Sequence, residues 1–120
     1  MTGYYISVGY NSQHSPEEVW RELEMVMREL CANPKRIADE ACAVGAPIEV
    51  GGENIYDYAE RYQANDGIAI LETSEGKHIA QTASGGGVSR ILKEHLRRAF
   101  CRLVLAAMHG KGMEINITVS

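Results

Sequence analysis

The residues with the most chemical potential lie in one continuous stretch, Thr82-Ala83-Ser84-Gly85-Gly86-Gly87-Val88-Ser89-Arg90. Three consecutive glycines end a strand-like segment and open the longest and most basic helical pattern in the chain. Glycine reaches backbone conformations closed to other residues, so such a run can curl until its N–H groups converge on an anion. The helix that follows adds the positive end of its dipole at the same point. Ser84 and Ser89 supply hydroxyl donors, and Arg90 and Lys93 bring cationic charge close to the glycines. The planar fork of arginine suits two-point contact with phosphate or carboxylate. Six tyrosines stand against one phenylalanine and one tryptophan. A tyrosine ring can stack on a base while its hydroxyl reaches a polar partner, which makes Tyr56 and Tyr58 candidates beside the glycine turn.

Several established chemistries are excluded by pattern. The glycine turn lacks the Lys-Ser/Thr pair of a P-loop, and it does not fit the dinucleotide fingerprint G-x-G-x-x-G. Cys31, Cys42 and Cys101 are widely spaced and form no C-x-x-C pair, so they read as small packing thiols rather than a disulfide framework or zinc site. His14, His78, His95 and His109 form no H-x-H or H-E-x-x-H motif, and no metal or other cofactor is expected. No catalytic constellation emerges. His78 and His95 flank the glycine turn in sequence, and an acid–base pair there would make the protein a small hydrolase-type enzyme.

The 120 residues are 45% apolar and 23% charged, ordinary proportions for one globular domain. Net charge is −4, but it is unevenly spread. Residues 1–76 carry five basic and fourteen acidic side chains, a balance of −9, whereas residues 77–120 carry seven and two, a balance of +5. Halves of opposite sign can attract within one fold, drive formation of a homo-oligomer, or let the basic half receive an anionic ligand. An isoelectric point near 5.5 argues against a binder of double-stranded nucleic acid. The longest apolar run, Leu103 to Met108, is far short of the ~20 residues of a bilayer span. With no basic start followed by an apolar stretch, a cytoplasmic location is expected and no membrane contact.

The elements that must position these residues follow from periodicity. Tyr4 to Tyr10 alternates as a first strand. Ser15, Pro16 and Glu18 form a helix start of the Ser-x-x-Glu type, and Val19, Leu23, Val26 and Leu30 make the apolar stripe of a helix over 15–32. Its other face carries Glu17, Glu18, Glu22, Glu24 and Glu29. Asn33 and Pro34 start a second helix that stops at Gly45. Residues 48–50 read as a short strand before a Gly51-Gly52 turn. Residues 54–62 favour helix, with Asn54 as cap, although the β-propensity of tyrosine argues for strand. Residues 67–73 and 77–82 form a hairpin, and Met113 to Val119 alternates as a last strand. In the helix over 88–109, Val88, Leu92, Leu96, Ala99, Leu103 and Ala107 form the buried stripe, with Ile91, Phe100 and Val104 beside it. Arg90, Lys93, Arg97, Arg98 and Arg102 are expected on the opposite face.

These elements predict an α+β fold: a mostly antiparallel sheet with two main amphipathic helices packed on one face. The expected function is non-enzymatic binding of a small phosphate-bearing ligand, a nucleotide or cyclic nucleotide, by a sensor or a sequestering protein such as a phage-encoded counter-defence factor. The alternative is a protein–protein interaction module or inhibitor that docks its acidic helix 15–32 on a basic partner.

Overall fold

The computed structural model describes residues 4–8, 13–65, 68–73, 76–81 and 88–119, with side chains described for residues 13–61 and 90–116. Most of the glycine turn, residues 82–87, lies outside the described residues. In chain order the elements are β1 (Tyr4–Val8), α1 (Pro16–Cys31), α2 (Pro34–Ala43), β2 (Glu49–Val50), β3 (Glu53–Asn54), α3 (Ile55–Asn65), β4 (Ile68–Thr73), β5 (Gly76–Gln81), α4 (Val88–Gly110) and β6 (Ile115–Val119).

Local chemistry sets the helix boundaries. The Ser15 hydroxyl accepts from the Glu18 N–H at 3.3 Å, and Pro16 occupies the first turn, where its missing N–H costs nothing. The Glu18 carboxylate turns to His14 Nδ1, 3.4 Å away. Asn33 caps α2 through the Arg36 N–H at 3.4 Å. Asn54 caps α3, accepting from Tyr56 N–H at 2.8 Å and Asp57 N–H at 3.4 Å. That double cap is why residues 54–62 become helix despite three tyrosines: it satisfies donors that a strand would leave to a ladder. β2 and β3 are joined by Gly51 and Gly52 at φ 57° and 83°, the left-handed pair that a two-residue hairpin requires.

Strands β4-β5-β1-β6 pair in that order, each neighbour antiparallel. The first and last strands therefore lie side by side, with Ile6 opposite Ile117. β2 and β3 form a separate two-stranded sheet.

The expectation of a mostly antiparallel sheet carrying two helices is overturned. Where side chains are described the chain is 71% helical, and the only strands paired there are β2 and β3, so helices dominate the fold. There are four helices rather than two main ones, and they pack chiefly on one another: α2 on α3 and α4, and α1 on α4. Among the residues whose side chains are described, Leu23, Leu30, Ile37, Ala38, Ile55, Ala59, Leu92, Ala99 and Val104 are buried on helices, with Met113 just before β6 and Ile115 at its start. The physical reason is that an apolar stripe demands cover without specifying it. Alanines at buried positions of α2, α3 and α4 let helix backbones approach closely, and helices then satisfy one another. Ile91, expected beside the stripe, is 48% exposed.

This packing makes a direct prediction. Ala38→Leu in α2 forces extra volume between close-packed helices and should destabilise by about 1–3 kcal/mol, while Ile91→Ala should stay within about 0.5 kcal/mol of the parent. Urea unfolding followed by circular dichroism reads both. An Ala38→Leu protein as stable as the parent would mean that α2 faces open surface.

Candidate functional site

The five basic residues expected on one solvated face of α4 divide into two groups. At 100° per residue, Arg90, Lys93 and Arg97 fall within about 60° of arc, and Arg98 and Arg102 lie on another side. Arg98 is exposed, and the Arg102 Nε reaches Glu40 Oε1 on α2 at 3.3 Å. Arg90 is exposed in the first turn of α4. Lys93 and Arg97 are not solvated at all: they are 2% and 1% exposed. The expected exterior position of these two is therefore corrected.

Their burial has a sequence cause. Lys93, Arg97, Phe100, Val104 and Met108 recur at helical spacing, and the last three are buried core residues. α4 thus buries two adjoining stripes, the expected one from Leu92 and this one. Two cations occupy the upstream end of the second, so the apolar signal there is hidden. Extending Phe100 and Val104 back by one and two turns would have found Arg97 and Lys93.

By sequence this stretch of α4 is mostly basic. Residues 88–102 hold five basic side chains and one acidic one, Glu94. Glu94 Oε1 sits 3.3 Å from Arg97 Nη1 and is itself partly open to solvent. Arg90 to Arg97 spans about 10 Å along the axis at 1.5 Å per residue, all within the N-terminal half of α4. The first turn contains no acidic residue to oppose the dipole's positive end. Lys93 lies in the second turn and Arg97 in the third, beyond the first turn over which the dipole acts, so it is desolvation that opposes their burial.

Ser84, Gly85, Gly86 and Gly87 lie outside the described residues. Ser89 stands in the first turn of α4, with its side chain outside the described set. Tyr56 and Tyr58 are both on α3 and half-buried. The Tyr56 hydroxyl donates to Asp39 Oδ1 on α2 at 2.7 Å. That bond to a carboxylate, aided by burial, pushes the phenol up to about 12, so it stays neutral at physiological pH. The Tyr58 ring lies 5.7 Å from the Arg61 guanidinium, and Arg61 also pairs with Glu53. Sequence reasoning missed Asp39 as the partner of Tyr56, because the two are seventeen residues apart and no local pattern joins them. His95 is half-buried on α4, and the His78 side chain lies outside the described residues.

No group of three or more His, Cys, Asp or Glu able to hold a metal ion occurs among the described residues. None of the described helices is long and apolar enough to cross a membrane. Comparison of the chain with protein-family models, curated proteins and solved structures finds no match.

The cysteines behave as packing groups. Burial pushes Cys31 up to about 11, and it does the same to Cys101 although the Arg97 and Arg102 guanidiniums pull the other way. Desolvation of the thiolate outweighs its attraction to nearby cations. At pH 8 only about one such thiol in a thousand is ionised. Alkylation of Cys31 and Cys101 by iodoacetamide, followed site by site by mass spectrometry, should therefore keep accelerating with pH up to about 11. A rate that levels off near pH 9 would mean that these thiols are solvated.

Proposed function

We propose that the protein binds a small phosphate-bearing ligand, a nucleotide or cyclic nucleotide, and acts as a sensor or a sequestering protein rather than a catalyst. One observation carries this reading: Lys93 and Arg97 are buried one turn apart on α4, in line with exposed Arg90. Removing a cation from water is costly, and ion pairs alone often fail to offset the cost. Sites that receive anions accept that cost because the ligand offsets it on binding. In this reading Arg90 meets the phosphate at the protein surface, and Lys93 and Arg97 supply charge from within. Ser84, Gly85, Gly86, Gly87 and Ser89 join through their place in the chain, immediately before and within the first turn of α4. Tyr56 and Tyr58 remain the candidates for stacking on the base, the first with its hydroxyl on Asp39 and the second with Arg61 over its ring.

Isothermal titration calorimetry against ATP, cyclic AMP, a cyclic dinucleotide, pyrophosphate and inorganic phosphate tests the proposal. At least one nucleotide should bind. A charge-assisted contact contributes roughly 1.5–3 kcal/mol, so Lys93→Met and Arg97→Met should each weaken binding at least tenfold. Silence across the whole panel would end this reading.

A further inference from the structure

A concavity lies toward the C-terminal end of α4. Its volume is about 310 Å³, and it opens between the C-terminal half of α1, the α1–α2 corner and the end of α4. Val26, Leu30, Leu103 and Ala107 make an apolar floor, and Met25, 51% exposed, stands at the rim. Lys111 and Arg36, the latter at the start of α2, also line it, and the Lys111 ammonium is answered by Glu22 at 3.0 Å. The volume is at the low end for ligand pockets.

The charges identify the ligand class. Apart from Lys111, the charged lining residues are Glu29 and Arg36, one acid and one base. Both are exposed, and neither makes an ion pair among the described residues. A simple hydrophobic acid would be held by Arg36 and repelled by Glu29, and a hydrophobic amine would meet the reverse. A molecule carrying both charges on one carbon, with an apolar branch, satisfies each feature at once. We infer that this groove binds a small zwitterionic α-amino acid with an apolar side chain: its carboxylate meets Arg36, its ammonium meets Glu29, and its side chain lies on Val26, Leu30, Leu103 and Ala107. This inference stands apart from the proposed phosphate site. It uses none of the same residues.

Methyl-resolved NMR on the full chain tests it, with L-leucine, L-methionine and L-phenylalanine as probes. At least one probe should give saturable shifts confined to Met25, Val26, Leu30, Leu103 and Ala107. For the leucine skeleton, 4-methylpentanoate lacks the amine and 3-methylbutan-1-amine lacks the carboxylate; each should bind at least tenfold more weakly than L-leucine. Arg36→Met and Glu29→Gln are surface changes and should each cost a similar factor. No saturable shift with any of the three amino acids overturns the inference. So does equal binding of either analogue, or full binding by both variants, since the groove would then be selecting apolar area alone. The analogue series uses the parent chain, so it decides the question even where a variant fails to fold.

Discussion

Water solvates an ammonium or guanidinium far better than any protein interior does, and α4 removes one of each from water four residues apart. This constraint shapes the rest of the structure. For Lys93 and Arg97 to be enclosed, α4 must be covered on two adjoining stripes. One helix or one sheet face covers a single stripe. α4 meets α1, α2 and α3 as well as β6 and β2, and this many neighbours supplies the second cover. The helix-dominated fold and the buried cations therefore belong to the same fact about α4.

The uneven charge of the sequence takes on a physical meaning in this setting. Two ion pairs join the basic end of the chain to the acidic one: Arg102 of α4 to Glu40 on α2, and Lys111, just past the end of α4, to Glu22 on α1. Both are partly open to solvent, so each adds little to stability. Their value is in choice of neighbour, since they favour the helix arrangement in which opposite halves of the chain meet. Two acidic positions of α1 are also engaged within the fold, Glu22 by Lys111 and Glu24 by Arg28 at 2.8 Å. The acidic face of α1 is thereby less available to a basic partner than its sequence implies.

Most element boundaries were legible because they depend on neighbours in sequence. Ser15, Asn33 and Asn54 cap helices whose first turns they precede, and Gly51-Gly52 turns a hairpin whose strands flank it. The fold class was not legible, because it depends on which apolar stripe covers which. The periodicity of Leu23 or Ile55 is the same against a sheet as against a helix. The candidate site was legible in residue type and hidden in environment. Lys93 and Arg97 were read as surface charges by the rule that charged residues face water, a rule that fails where function or a charge partner holds a cation inside. The Tyr56–Asp39 bond joins α3 to α2 across seventeen residues, and pairing of that kind leaves no local trace.

The two ends of α4 are electrostatically different, and the difference follows from its length. Over 23 residues the dipole's positive end is well separated from its negative end, by about 33 Å at 1.5 Å per residue. At the N-terminal end the chain adds Arg90, Lys93 and Arg97, which reinforce the positive field. Near the C-terminal end Lys111 opposes the negative field, and Glu22 in turn neutralises Lys111. Glu94 answers Arg97 at the first end and Glu22 answers Lys111 at the second, so the ends differ in where their basic residues stand: Arg90 is exposed in the first turn, whereas Lys111 lies just past the last turn against α1.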